Sequence, residues 1–146
     1  MSVEAAAGVY ARYFDELTTA TTGDLRRLAA ADMRFKDPFN DIRGVDRVVG
    51  LFDHMFQTTE QPRFVTGAIA VTSRTAFLRW RFTCTVPSRL LSLALAIEGV
   101  SEVRFDAAEL VVEHVDYWDP AAAVYERLPL LGGVLRGLRR RLAHRP

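Results

Sequence analysis

The residues with the clearest chemical potential lie near the end of one segment, residues 109–119. Side chains of an extended chain alternate between two faces, so His114, Asp116 and Trp118 share a face with the apolar residues that precede them. Because that face changes from apolar to ionisable along its length, the pattern indicates a core strand that runs into a pocket. His114 and Asp116 would lie about 7 Å apart, close enough for each to influence the other's charge. Asp116 could act as a general base or form a structural ion pair, and the sequence leaves both open.

A second carboxylate, Asp37, stands before Pro38 and has aromatic residues on both sides. It could serve as a general base at an apolar mouth, or it could simply initiate a turn. Tyr13 lies on the apolar face of the first predicted helix. Because a buried phenol needs a hydrogen-bond partner, Tyr13 could bond a core neighbour or orient a bound molecule.

Two arginines, Arg79 and Arg81, share one face of a predicted strand at residues 75–86. If that face is concave, they would suit an anionic or carbonyl ligand, and if it is convex they would face solvent or a dimer contact. Cys84 lies on the opposite, apolar face and is expected to be a buried structural thiol rather than a nucleophile. Phe52 and Phe56 on the third predicted helix are assigned to cavity lining or to plain core.

Composition places this chain of 146 residues among globular domains, with 49% hydrophobic and 25% charged residues. The formal net charge of +1 is unevenly distributed, because five arginines and no acids lie in the last eleven residues. The remaining residues hold 14 basic and 18 acidic side chains. This mildly acidic body argues against a nucleic-acid-binding surface.

Cysteine and histidine usage restricts the chemistry further. Cys84 is the only cysteine, so no intrachain disulfide can form, and the chain is compatible with a reducing cytosol. The three histidines are far apart and no Cys/His spacing suits zinc, so we expect neither a metal nor a cofactor. The N-terminus lacks a basic region before an apolar run, and no apolar run approaches the roughly 18 residues of a membrane span. We therefore expect a cytoplasmic protein.

The hydrophobic period changes from helical to alternating near residue 60. Helices are predicted at residues 3–19, 24–31 and 45–57, a short extended piece at 33–38, and strands at 64–71, 75–86, 89–105 and 109–118. Gly99 is expected to bend or bulge the third of these strands. Asp119 and Pro120 start a short helix, and residues 130–142 place leucines on one stripe with arginines opposite. Helices followed by a meander of strands predict an α+β fold.

This order of elements and three local signatures resemble the nuclear transport factor 2-like superfamily, which includes SnoaL-like proteins, ketosteroid isomerase and limonene epoxide hydrolase. The signatures are Phe35-Lys36-Asp37-Pro38 before Gly44, Gly99-Val100-Ser101-Glu102-Val103, and Asp116-Tyr117-Trp118-Asp119 before a helix. The resemblance implies a cone-shaped domain at residues 1–128, in which a strongly curved antiparallel sheet wraps around the N-terminal helices. It also implies a homodimer through the outer sheet face. Residues 129–146 would form a separate basic, amphipathic C-terminal helix or tail.

The ketosteroid isomerase pattern can be compared residue by residue. That enzyme uses an aspartate before proline as its base, and a tyrosine on the first helix and an acid on a later strand stabilise the enolate. Asp37 and Tyr13 match the first two. Ser101 stands where the acid would be, which weakens that site to a hydroxyl donor.

The epoxide hydrolase pattern matches less completely. Asp116 resembles the aspartate that activates water, and Arg79 matches an arginine of that pattern, which favours an inward Arg79. Arg81 replaces the acid that would protonate the epoxide. Because the departing alkoxide would lack a proton donor, this replacement argues against epoxide opening.

Together these observations predict a domain that binds a small, mostly apolar molecule with a carbonyl or similar polar end. If it is an enzyme, we expect a cofactor-independent isomerase or lyase in which Asp37 or Asp116 is the base and Tyr13 helps to stabilise negative charge. The predicted ligand contacts are Arg79, Ser101, His114, Trp118, Phe52 and Phe56. The alternative is a non-catalytic ligand-binding or dimerisation module. The arginine-rich tail could lie on a membrane surface, cover the open end of the cone or form a solvated helix, and packing against the body is favoured.

Overall fold

Helices occupy the first part of the chain and long strands most of the remainder. The computed structural model describes residues 1–90 and 92–144. Its helices are α1 (Val3–Asp15), α2 (Leu25–Leu28), α3 (Val45–Thr58), α4 (Pro120–Ala123) and α5 (Pro129–Leu142). Its strands are β1 (Ala29–Lys36), β2 (Asp41–Arg43), β3 (Glu60–Thr72), β4 (Thr75–Val86), β5 (Leu93–Phe105) and β6 (Val111–Tyr117). Short 3-10 turns lie at Thr22–Asp24 and Tyr125–Arg127.

Local sequence signals explain both ends of α1. The Ser2 hydroxyl accepts a hydrogen bond from the Ala5 amide at 3.2 Å and so caps the helix. The helix ends at Asp15, earlier than the predicted residue 19. The reason is that Thr21 accepts a hydrogen bond from the Thr18 amide at 2.9 Å, which gives the backbone a turn instead of a further helical bond.

The six strands form one curved sheet in the order β2-β1-β6-β5-β4-β3. The meander from β3 to β6 is antiparallel throughout, as predicted. The strand β1, however, pairs with β6 in parallel, so the sheet is mixed at this position. The pairing arises because the chain leaves β1, passes through α3 and the meander, and returns to the free side of β1. The α+β prediction of helices against a curved sheet is confirmed.

A β-bulge in β6 changes which valine enters the core. Arg104 pairs with Glu113 but Phe105 pairs with Val111, so Val112 is the extra residue. Val111 is therefore fully buried, whereas strict alternation predicted that Val112 would share the inner face with His114. Beyond the bulge the alternation resumes.

The strand β5 is shorter than predicted at its start. Val86 pairs with Leu93, and residues 87–90 and 92 lie in the connection from β4 to β5. The predicted strand residues 89 and 90 lie in this connection, and the predicted residue 91 lies outside the described residues. A hairpin needs a loop between its strands. Because the loop runs directly into the apolar residues of β5, the sequence pattern did not separate the two.

The C-terminal region begins with a well-capped helix and ends with an exposed one. Asp119 accepts hydrogen bonds from the amides of Ala121 and Ala122 at 2.9 and 3.2 Å, which fixes the start of α4. The helix α5 packs mainly against the 3-10 turn before it and leaves most of its side chains exposed, contrary to the favoured packing against the body. In the described residues no helix is long and apolar enough to span a membrane.

An ion-pair cluster joins three strands at the β1 edge of the sheet. Arg34 donates to both carboxylate oxygens of Asp41, at 2.9 and 2.8 Å, and to Glu113 at 3.2 Å. The hydrogen bonds from Arg34 hold the pKa of Asp41 below its usual value. A carboxylate with a lowered folded-state pKa stabilises the fold above its unfolded pKa, near 4, and loses that contribution as pH falls through the folded pKa.

Replacing Arg34 with glutamine should therefore lower the melting temperature at pH 7 and have much less effect at pH 3. Thermal melts of both proteins at the two pH values would measure this difference. Arg63→Gln is the matched control, because Arg63 is an exposed strand arginine for which the described part of the chain shows no ion pair. An equal loss at pH 3 and pH 7 would contradict the electrostatic origin.

Candidate functional site

A cavity of about 390 Å³ lies between the helices and the inner face of the sheet. Its wall is largely aromatic, and the aromatic members are Phe14, Phe35, Phe39, Phe52, Phe64, Trp80, Phe82 and Trp118. Asp37, Ser101, His114 and Asp116 are among its polar members. Such an apolar hollow with few convergent polar groups is the usual form of a small-molecule site.

A continuous chain of hydrogen bonds joins five side chains at the polar end of the cavity. Trp80 Nε1 donates to Ser101 Oγ at 2.8 Å, and Ser101 Oγ donates to Asp116 Oδ1 at 2.5 Å. His114 Nε2 lies 2.7 Å from the same carboxylate oxygen, and Tyr10 Oη lies 2.9 Å from His114 Nδ1. One helix, α1, and three neighbouring strands, β4 to β6, thus meet at Asp116.

The direction of each hydrogen bond follows from the chemistry of its ends. An indole N–H can only donate and a carboxylate can only accept, so Ser101 and His114 both donate towards Asp116. His114 Nδ1 is then left to accept from the Tyr10 hydroxyl. Burial, and then the negative charge of Asp116, raise the pKa of Tyr10 well above its usual value, so the phenol keeps the proton that it donates.

The carboxylate of Asp116 is held through one oxygen only. Both hydrogen bonds reach Oδ1, and in the part of the chain that the structure describes Oδ2 accepts none. The side chain is 16% exposed and lines the cavity. Oδ2 is therefore the atom that can accept a proton or a hydrogen bond from a bound molecule.

The second predicted base, Asp37, also lines the cavity, but its oxygens are already engaged. Oδ1 accepts from the amides of Phe39 and Asn40 at 2.7 Å each, and Oδ2 accepts from Asn40 Nδ2 at 3.1 Å. These bonds close the turn between β1 and β2. The geometry supports the turn-initiating interpretation of Asp37.

Tyr13 is not placed at the cavity. Its hydroxyl donates to the carbonyl oxygen of Thr22 at 2.8 Å, and the Thr22 hydroxyl donates to Asp53 at 2.6 Å. This is the core-neighbour alternative. The phenol that does reach the polar chain is Tyr10, three residues earlier on the same helix face, which sequence reasoning missed.

The inward placement of Arg79 is wrong. Its side chain is 69% exposed on the outer face of the sheet, 3.9 Å from Glu98. Alternation along β4 places Leu78, Trp80 and Cys84 on the cavity side, and only one of the two faces can be inside. Burial raises the pKa of the Cys84 thiol, which fits the predicted structural role.

Of the five other predicted ligand contacts, four line the cavity and one does not. Ser101, His114, Trp118 and Phe52 line the cavity, whereas Phe56 is half-buried and is not among the lining residues. Among the described residues no three His, Cys, Asp or Glu side chains are grouped as metal ligands would be.

Gly99 gives the Trp80 indole its place in the site. It pairs directly with Trp80, and the β4–β5 register runs through it without the predicted bulge. A Cβ at this position would lie 2.6 Å from Trp80 Cζ2 and 2.9 Å from the Tyr117 carbonyl oxygen. Because Gly99 has no side chain, the Trp80 indole can lie over β5 at this position and reach Ser101.

Gly99→Ala should lower the free energy of unfolding by about 1–3 kcal/mol, because the indole or the strand must shift. Urea unfolding followed by circular dichroism would measure the change. Gly67→Ala is the matched strand control, since its Cβ would meet only the Arg79 carbonyl oxygen at 3.8 Å. Equal stability of the two variants would show that the indole is not confined as described.

Comparison with known proteins places this geometry in context. The family model described as SnoaL-like domain matches residues 10–114. No curated protein matches the sequence. A putative SnoaL-like polyketide cyclase from Shewanella denitrificans OS-217 is similar in structure, with a TM-score of 0.64, 17% identity, and coverage of 80% of this chain and 90% of that one.

Two further structures are similar. An LEH-like epoxide hydrolase from M. tuberculosis has a TM-score of 0.65 at 15% identity and covers 96% of this chain and 94% of its own. A hypothetical protein with a ketosteroid isomerase-like fold from Catenulispora acidiphila DSM 44928, in complex with trimethylamine, has a TM-score of 0.67 at 12% identity, with coverage of 82% of this chain and 88% of its own. At these identities the similarity establishes the shared fold and not a shared reaction.

Proposed function

Because the chain belongs to the SnoaL-like domain family, we propose that it is a cofactor-independent enzyme that removes a proton from a small, mostly apolar molecule. Asp116 is the proposed general base. The observation that supports this role best is its carboxylate geometry, in which Oδ1 holds two hydrogen bonds while the side chain lines the cavity and Oδ2 is left without a hydrogen bond in the described residues. A base must be held in place and still be within reach of the substrate.

The charges at the cavity disfavour an anionic substrate, and its largely apolar lining favours an uncharged one. Among the described residues that line it, Asp37 and Asp116 are acidic and none is lysine or arginine. With Arg79 on the outer face, an anion would find no matching cation and would be repelled. A ketone or similar carbonyl compound, with an acidic C–H beside its polar end, suits this lining.

Proton abstraction from carbon fits the site better than epoxide opening does. The residue directly opposite Asp116 on β5 is Ser101, whose hydrogen already points to the Asp116 carboxylate. No carboxylic acid stands opposite Asp116 to protonate a departing alkoxide, and the other acid of the cavity, Asp37, has both oxygens engaged in the β1–β2 turn. One structural neighbour is named a putative polyketide cyclase. That name is compatible with proton abstraction from carbon, because enolate formation is a common first step in the closure of a carbon ring.

The reaction would consist of two proton transfers, first from carbon to Asp116 and then back to carbon. Asp116 Oδ2 takes the proton from the carbon beside the carbonyl, and the electron pair of that C–H bond moves into the enolate. Ser101 and His114 keep the carboxylate aimed during this step. Return of the proton to the same carbon gives exchange, and return to another carbon gives isomerisation.

Hydrogen–deuterium exchange into a panel of uncharged cyclic ketones and enones, followed by NMR in D₂O, tests the proposal. The wild-type protein should accelerate exchange at the carbon beside the carbonyl. Leu95→Trp, which fills the cavity from β5, should remove this activity, whereas Ala96→Trp on the outer face of the same strand should keep it. Binding to the panel without exchange would instead favour a non-catalytic ligand-binding module.

A homodimer through the outer sheet face is proposed on separate grounds. That face exposes Val65, Phe77 and Tyr117, which are 48%, 38% and 57% exposed. Apolar side chains grouped on one sheet face commonly mark a contact surface. Sedimentation velocity of the wild type and of Phe77→Glu would distinguish a dimer from a monomer.

A further inference from the structure

The C-terminal helix α5 exposes a row of apolar side chains that nothing in the described chain covers. At about 100° per residue, its leucines and its valine fall within an arc of about 140°. Leu130, Val134 and Leu142 are 89%, 69% and 78% exposed, and Leu131 and Leu138 are 46% and 53% exposed. We refer to these five residues as the apolar stripe.

The rest of the helix is basic. Arg136, Arg139, Arg140 and Arg141 lie in α5, and residues 129–144 contain no acidic side chain. By the same helical geometry, Arg139 lies about 60° beyond one edge of the apolar stripe, and Arg141 lies just inside its other edge, between Leu130 and Val134. The helix is therefore apolar on one side and positively charged around it.

The start of α5 is held firmly, which leaves the stripe free. Gly132 packs so closely on the backbone of Glu126 that any Cβ would collide with it. Arg139 pairs with the Glu126 carboxylate, and Arg136 donates to the Glu126 carbonyl oxygen. These contacts fix the side of the helix that faces the preceding 3-10 turn, and the apolar stripe lies on the other side.

We propose that α5 binds the surface of an anionic lipid bilayer, lying in the plane of the interface with the apolar stripe inserted. Leucines would enter the boundary between headgroups and acyl chains, and the arginines would reach the lipid phosphates. Each arginine near an anionic surface strengthens binding about fivefold. A helix of this composition binds reversibly at the interface and does not span the bilayer.

A second copy of α5 fits the stripe less well than a bilayer does. Parallel pairing of two identical helices would bring Arg141 of each against the same residue of the other, with no acid in residues 129–144 to balance it. At a lipid surface the same side chains can extend along the helix to the phosphates while the stripe is buried. The charge pattern therefore favours the anionic surface.

Co-sedimentation of the full chain with vesicles tests this proposal. Phosphatidylcholine vesicles are compared with vesicles that also contain phosphatidylglycerol, at a single moderate salt concentration. The wild type should sediment with the anionic vesicles only. The stripe variant, with Leu130→Ser, Val134→Ser and Leu138→Ser, should bind them at least about tenfold more weakly.

Two further variants separate charge from burial. Arg141→Gln, at the edge of the apolar stripe, should weaken binding about fivefold. Arg63→Gln with Arg81→Gln, two exposed arginines of the body, should leave binding unchanged. All variants should keep the wild-type melting temperature, because the replaced side chains lie outside the core.

Three results would overturn the proposal. The first is equal sedimentation of the wild type with both vesicle types, or with neither. The second is wild-type binding by the stripe variant, which would mean that charge alone acts. The third is a wild-type dimer, seen by sedimentation velocity without vesicles, that the stripe variant dissociates, because the apolar stripe would then be covered by a second copy.

Discussion

Asp116→Asn should slow the exchange of the C–H beside a carbonyl by about 10²–10⁴-fold, the usual contribution of a positioned general base. Asparagine keeps an oxygen where Ser101 and His114 donate and replaces the free carboxylate oxygen with an amide. The replacement therefore removes basicity while the polar chain stays in place. We expect the melting temperature to change little, and NMR exchange rates with thermal melts would measure both quantities.

The control for this prediction is Asp32→Asn, which changes an exposed aspartate on β1 and should leave the exchange rate unaltered. Asp37→Asn is the informative comparison, because Asp37 also lines the cavity. Its loss should disturb the β1–β2 turn and reduce stability more than it reduces the rate. If Asp37→Asn abolishes exchange and Asp116→Asn does not, then the base has been assigned to the wrong aspartate.

His114→Ala should lower the free energy of unfolding by about 3–5 kcal/mol, a loss typical of a large buried ring that also completes a polar network. The imidazole is 3% exposed and packs 4.8 Å from the Phe35 ring. Its removal leaves a cavity and also leaves the Tyr10 hydroxyl, in a residue 1% exposed, without its acceptor. Urea unfolding, fitted with the m-value as a check on two-state behaviour, would measure the change.

Two companion variants make the His114 measurement specific. Tyr10→Phe removes only the donor to His114 Nδ1 and should cost about 1–3 kcal/mol. The double variant should cost less than the sum of the two, because the partners share one hydrogen bond. His54→Ala, on an exposed helical histidine, should stay within about 0.5 kcal/mol of the wild type. A loss below about 1 kcal/mol for His114→Ala would show that the polar chain is not integral to the core.

The parts of the fold that sequence predicted are those that local physics determines. The helix α3 and the strand β4 were placed within a residue or two, because an apolar period repeats with few interruptions in each. The bulge at Val112 was not predicted, because the residue types of a strand do not mark where one extra residue interrupts its pairing. The edge strand β2 is only three residues long and carries no pattern that a period could reveal.

The candidate site shows the same division. Alternation correctly separated Trp80 from Arg79, but which of them faces inward depends on the side from which the helices cover the sheet. Tyr10 and Tyr13 lie on the same buried face of α1, and the rotation of that helix against β6 decides which phenol reaches His114. Both choices are tertiary, so neither periodicity nor residue type could settle them. The turn at Asp37 and Asn40, by contrast, is local, and the sequence offered it as one of two interpretations.

In the proposed enzyme, the polar residues of the cavity would determine the reaction and its apolar residues the choice of substrate. Every polar side chain of the Tyr10-to-Trp80 chain bonds to a neighbour on another element, so a change to one disturbs the others. Further along the same strands the wall is made of side chains such as Phe82 and Leu95, which line the cavity and make no directional bond. Substitutions among apolar residues there would change which molecule fits the cavity, while the Asp116 carboxylate would keep its position. The scaffold is therefore suited to acquiring new substrates through its hydrophobic wall alone.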